Sequence, residues 1–242
     1  DYKNVADYKD IRELVEGSIA KKLEQNNKKV WGDKSPNIQH FMSDLMLLVP
    51  NAKIIHIIRD GRANAYSMSR RSYKNLSLCA QNWVDGNIFG IVNQHILGKD
   101  NYHLVQYENL LLHPEKELQA VCDFLNIPFT SDMLNLSKQD IAEDKKYVKS
   151  SLVTSKIDDW KKALSKKEIE QIEKIQGPLL KRMGYQLESN IKQFKLLSLR
   201  RQLFYNQIDN FKQLFRRKSI GMKNKEKIVM ERSFKNRAYE FI

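Results

Sequence analysis

The run KIIHII at residues 53–58 constrains this chain more than any other segment, because it sits between the turn residues Pro50-Asn51 and the abrupt stop Arg59-Asp60-Gly61. A continuous apolar, β-branched run of that length predicts a strand covered on both faces, as strands of parallel sheets are. Beyond Gly61 the pattern changes to helical spacing through Ala63, Tyr66, Met68 and Arg70. A second strand is expected at YHLVQY, residues 102–107, just after Gly98.

Helical patterns fill the intervals. One carries Val5, Ile11, Leu14, Val15, Ile19 and Leu23 on one face and ends at Asn26-Asn27. Another is expected to start with Ser35 as cap and Pro36 in the first position, and to run to about Leu47. Two more cover Leu78 to Ile96 and Leu118 to Ile127, the latter between His113-Pro114 and Pro128. The last spans about Lys166 to Met183 and stops at Gly184, while the polar stretch from Lys145 to Asp159 reads as a loop. Strands alternating with helices predict an α/β fold built on a parallel sheet.

Composition excludes several classes. A chain of 242 residues with 41% hydrophobic and 29% charged residues can fill a core, and nine glycines with five prolines are too few for a low-complexity chain. No apolar run approaches the roughly 20 residues of a membrane-spanning helix, and a cytoplasmic location is the expectation. Cys79 and Cys122 are expected to be core thiols, which leaves no disulfide framework and no multi-cysteine zinc site.

The net charge of +13 is unevenly placed. Residues 191–242 hold 14 basic against four acidic side chains, leaving only +3 for the first 190 residues. The division expected is a body over 1–190 and a basic amphipathic helical tail over 191–242, with Phe194, Leu197, Phe204, Ile208, Phe211 and Phe215 along one face. That face is read as docking onto the chain's own body, with an anionic membrane surface and, less favoured, nucleic acid as the other partners weighed.

The chemistry concentrates in IIHIIRDGRANAYS, where a strand delivers Arg59 to its carboxyl end and a helix then presents Ser67. A guanidinium and a hydroxyl at a strand-to-helix junction suit a phosphate, since ligands of α/β sheets collect outside the carboxyl ends of strands. The competing reading makes Arg59-Asp60 a surface ion pair and Ser67 a helix residue bonded to its own backbone.

RDGRANAYSMSRR resembles the 3′-phosphate-binding segment of sulfotransferases that use 3′-phosphoadenosine 5′-phosphosulfate (PAPS), most of all the tyrosylprotein sulfotransferases and similar bacterial enzymes. WGDKSP, QYENLLLHPEKELQAVCDFLNIPF and KIDDWKKAL…GPLLKRMGY are similar to further family segments in the same order, covering roughly residues 30–185. The resemblance implies a P-loop-type parallel sheet flanked by helices, with the basic helical tail as an extension. It implies that Arg59 and Ser67 hold the nucleotide's 3′-phosphate and that Tyr107 contacts the nucleotide, while Glu108 pairs with a structural donor. Lys34 would neutralise charge near the transferring sulfonate, against the alternative of a solvated loop lysine. Ser155, Lys156 and Trp160 would belong to a loop closing over the phosphate or adenine, and Arg70 and Arg71 would add positive potential or remain solvated.

By the same resemblance the reaction is sulfonate transfer from PAPS to a hydroxyl of a peptide tyrosine, a carbohydrate or a small molecule, with no metal required. None of the nine glycines opens a loop of the form G-x-x-[RK]-S-G-T-T, so the chain is expected to carry the nucleotide-recognising remainder of a longer parent. The alternative is a catalytically incomplete module acting through its tail. A nucleotide kinase is disfavoured because no Walker loop is present.

Overall fold

The computed structural model describes residues 9–35, 38–72, 74–134 and 157–219, with side chains through Lys212. In chain order the elements are α1 (Ile11–Gln25), α2 (Met42–Leu48), β1 (Ile54–Ile58), α3 (Gly61–Ser72), α4 (Leu76–Asn101), β2 (Tyr102–Gln106), α5 (Tyr107–Leu112), α6 (Pro114–Leu125), α7 (Asp159–Ala163), α8 (Lys166–Arg182) and α9 (Leu199–Ser219). Single 3-10 turns cover Ile38–Phe41 and Ser131–Leu134. β1 and β2 pair in parallel from Ile54↔Tyr102 to Ile58↔Gln106, so the expected α/β architecture holds. A parallel pair needs a long crossover, and α3 with α4 supplies it.

The chain divides into two compact units, one formed by Asp1–Asp60 and Val84–Asp159, the other by Gly61–Trp83 and Trp160–Ile242. In the first, Met42, Ile58, Val84, Tyr102, Val105, Leu111 and Cys122 are the buried apolar residues. Pro114 opens α6, where its missing N–H costs nothing, and Asn126 closes it in the left-handed region at φ 56°. His56 on β1 bonds inward, its Nε2 3.1 Å from Asn87 Oδ1 and its Nδ1 2.8 Å from the Tyr102 hydroxyl. Gly90 of α4 lies against that ring so closely that a Cβ would overlap it.

Three expectations are corrected here. Among the described residues β1 is covered on one face only: Ile58 is buried, but Ile55 and Ile57 are 38% and 55% exposed. An unbroken apolar run shows that a strand tolerates burial, not that something covers it. Tyr107 is not the last residue of β2 but the first of α5. Ser35 does not cap α2, whose N-cap is Phe41; its hydroxyl donates to Asp33 instead. Pro36 and the expected helical positions before Lys9 lie outside the described residues.

In the second unit Trp160, Leu78, Cys79, Trp83, Ile172, Ile175 and Leu180 form the centre. α8 is framed at both ends. Ser165 and Glu168 make a reciprocal capping box, and Gly184 at φ 84° carries a Schellman closure in which Tyr185 N–H donates to Leu180 O at 2.9 Å and Gly184 N–H to Lys181 O at 3.1 Å. Inside the helix Pro178 cannot donate to Lys174 O. That carbonyl accepts the Lys195 N–H instead, at 2.8 Å, while the Phe194 ring presses on Gly177 where a Cβ would overlap it. The segment after residue 190 therefore begins as a docked strap, and its helix starts at Leu199 rather than at Phe194. Leu197 N–H donates to Gln81 Oε1 at 2.9 Å, and the buried Asp209 carboxylate accepts Asn75 N–H at 2.8 Å.

Candidate functional site

The end of the parallel pair positions the first cluster. One residue beyond the last register pair, Arg59 leaves β1 and Tyr107 leaves β2, and the Arg59 guanidinium lies over the Tyr107 ring with its carbon 4.8 Å from the centroid. Both side chains are half-buried. Stacking on an aromatic face fixes the plane of a guanidinium without consuming its N–H donors. Next to them Glu108 Oε1 accepts the backbone N–H of the buried Asp60 at 2.9 Å, so one carboxylate ties the two strand ends together. The expectation that Glu108 takes a structural donor matches this bond, and the surface-pair reading of Asp60 is excluded by its burial.

Lys34 is exposed in an irregular segment of the first unit, with no ion pair or hydrogen bond among the described residues. Ser155 and Lys156 lie outside the described residues.

The second unit holds the remaining residues of the motif. Ser67 is half-buried on α3, and its hydroxyl has no hydrogen-bond partner among the described residues, unlike Ser69, which donates to Tyr66 O at 2.9 Å. Arg70 and Arg71 end the helix, with Arg70 5.9 Å from the Tyr66 ring centroid.

One residue of the motif escaped sequence reasoning. Arg62 is buried, ion-paired at 2.6 Å to the buried Glu173, bonded at 2.8 Å to Gln186 O, and stacked 4.3 Å from the centroid of the Trp160 ring. Glu173 also accepts Glu188 N–H at 2.8 Å, Ser189 N–H at 2.9 Å and the Ser189 hydroxyl. The signal available was the small residues around it: Gly61, Ala63 and Ala65 mark a helix start pressed against neighbours, here with Gln176 donating to Gly61 O at 3.1 Å. Trp160, expected in a closing loop, is instead a core residue at the start of α7.

The sequence model of the Sulfotransferase family matches residues 4–131, more than half of the chain. The chain belongs to the sulfotransferase family. Among curated relatives it is 30% identical over 115 residues to the protein-tyrosine sulfotransferase of Drosophila melanogaster, covering 43% of this chain and 22% of that protein. It is 33% identical over 113 residues to protein-tyrosine sulfotransferase 1 of Danio rerio, covering 43% and 31%, and 26% identical over 158 residues to protein-tyrosine sulfotransferase A of Caenorhabditis elegans, covering 59% and 41%. The matches thus span about a fifth to two fifths of those relatives. Among solved structures, the sulfotransferase domain from the olefin synthase of Synechococcus PCC 7002 aligns with a TM-score of 0.58 and 25% identity, covering 72% of this chain and 64% of that one. The sulfotransferase domain from the curacin biosynthetic pathway aligns with the same TM-score at 21% identity, covering 72% and 69%, a likeness of fold. These sulfotransferase neighbours bear out the P-loop-type α/β expectation. No helix among the described residues is long and apolar enough to cross a membrane.

Proposed function

We propose that this sulfotransferase chain recognises PAPS and transfers its sulfonate to a hydroxyl of an acceptor, with peptide tyrosine the first acceptor class to test because the curated relatives are protein-tyrosine sulfotransferases. The observation that carries the reading is Arg59 stacked on Tyr107 at the carboxyl ends of two adjacent parallel strands, where a phosphate ligand of such a sheet belongs. Arg59 presents a charge-assisted fork to the 3′-phosphate, and Ser67, eight residues on in the same family segment, adds a hydroxyl donor. Tyr107 holds the guanidinium and borders the nucleotide, while Ser155 and Lys156 are assigned to the closing loop by resemblance alone. PAPS is a substrate of this reaction, consumed in each turnover, and the transfer requires no metal.

In the reaction the acceptor oxygen attacks sulfur in line with the bridging oxygen of PAPS. The sulfur–oxygen bond to that bridge breaks, 3′-phosphoadenosine 5′-phosphate leaves, and the acceptor's proton passes to a base. Lys34 is assigned to the negative charge that grows on the bridging oxygen.

Titration calorimetry on the whole chain tests recognition, with 3′-phosphoadenosine 5′-phosphate and AMP as probes. The expected result is at least roughly tenfold tighter binding of the 3′-phosphorylated nucleotide, a preference that Arg59→Ala and Ser67→Ala each reduce without lowering the thermal midpoint. Equal Kd values for the two nucleotides would overturn the assignment.

A further inference from the structure

The solvent face of α9 is apolar and positively charged at once. The helix is held by its other side: Gln202, Tyr205 and Ile208 are half-buried, and Asp209 is buried against Asn75 N–H. At 3.6 residues per turn, Leu199, Leu203, Phe204 and Phe211 fall on the remaining surface with Arg200 between them. They are 70%, 55%, 57% and 62% exposed, and Leu196 just before the helix is exposed as well. Every exposed charge from Leu196 to Lys212 is positive, namely Arg200, Arg201 and Lys212. The lone acid of the helix, Asp209, is buried, with its carboxylate accepting a backbone N–H.

We infer that this face of α9 lies on an anionic lipid bilayer, with its leucines and phenylalanines entering the headgroup boundary and its arginines meeting lipid phosphates. Charge complementarity selects that partner. A second copy of the chain would set positive charge against positive charge. A nucleic acid would satisfy the arginines and stack on phenylalanine, but offers nothing to Leu199 and Leu203. An anionic bilayer supplies negative charge and apolar volume in one surface, the combination that interfacial amphipathic helices use. The helix would lie in the plane of the interface, docked to its own unit by Asp209 on the far side.

Co-sedimentation of the whole chain with vesicles tests this. Vesicles containing roughly a third phosphatidylserine should retain about tenfold more protein than vesicles of phosphatidylcholine alone, and added salt should reduce that retention. Phe204→Ala combined with Phe211→Ala should lower binding to the anionic vesicles roughly tenfold, and Arg200→Gln should lower it less. All three side chains are exposed, so circular dichroism should be unchanged and the loss attributable to the face. Equal retention on neutral and anionic vesicles, or undiminished binding by the double variant, overturns the inference. A concentration-dependent dimer abolished by the same two substitutions would also overturn it, by assigning the face to a second copy.

Discussion

Arg62 and Glu173, 111 residues apart in sequence, meet in a 2.6 Å ion pair inside the second unit, and the same carboxylate accepts the backbone N–H groups of Glu188 and Ser189. Two charges removed from water are tolerated because nearly every lone pair and donor between them is used. The pair joins the start of α3, which carries the family motif, to α8 and to the chain that follows it.

Glu173→Ala should therefore lower unfolding stability by about 3–5 kcal/mol, since it leaves a guanidinium buried without its carboxylate. Glu188→Ala, which removes a half-exposed pair with Lys161, should cost less than about 1 kcal/mol. Urea unfolding of the two variants side by side checks the contrast, and similar midpoints would show that Arg62 rehydrates on losing its partner.

The Phe194 ring on Gly177 predicts a non-additive pair. Gly177→Ala should destabilise the strap by about 1–3 kcal/mol, because its methyl group needs space the ring occupies. Phe194→Ala alone should also destabilise, but the double variant should be more stable than the sum of the two losses implies. Strict additivity in a double-mutant cycle would mean that the two residues do not touch.

His56 gives a pH dependence with a definite sign. Burial lowers its pKa below the ordinary 6.5, partly opposed by the Asn87 hydrogen bond, so the folded state resists the proton that the unfolded chain accepts. The stability this contributes is present above pH 6.5 and lost as pH falls toward the lowered folded pKa. Neighbouring Tyr102 has its own pKa pushed up to about 12 by burial and stays neutral throughout. A His56→Gln variant should show a flatter stability profile below about pH 7 than the parent. An unchanged slope would place the titrating group elsewhere.

Cys79 should be unreactive in the folded chain. Burial is the main cause pushing its thiol up to about 11, with nearby Lys74 opposing and Asp209 reinforcing, so little thiolate exists at pH 8. Iodoacetamide at pH 8 should modify Cys79 and the buried Cys122 only under unfolding conditions, as mass spectrometry of the labelled peptides would show. Labelling of Cys79 at the rate of a free thiol in the native protein would contradict its burial.

Much of this molecule was legible in its sequence because local pattern carried it. IIHIIRDGRANAYS announces a strand, a turn and a helix, and Arg59 and Tyr107 each stand out by motif, although their contact across the strand ends does not. Pro114 and Gly184 act where their backbone restrictions and freedoms direct them. What stayed hidden depends on distant partners. A charged residue in a helix reads as solvated unless its carboxylate is known, so Arg62 passed unnoticed, and Ile55 and Ile57 read as covered because their apolarity carries no record of what lies above them. Tyr107 closes the run YHLVQY and has the strand preference of an aromatic residue, which the turn into α5 overrides.

The bond from Lys195 N–H to the carbonyl left free by Pro178 uses main-chain atoms only. Nineteen of the twenty amino acids would supply that donor at position 195, and proline alone would not. The strap is thus anchored at a point where its own side chains are free to diversify, so a substitution library at 195 should tolerate every residue but one, whatever surface the rest of the segment has evolved to meet.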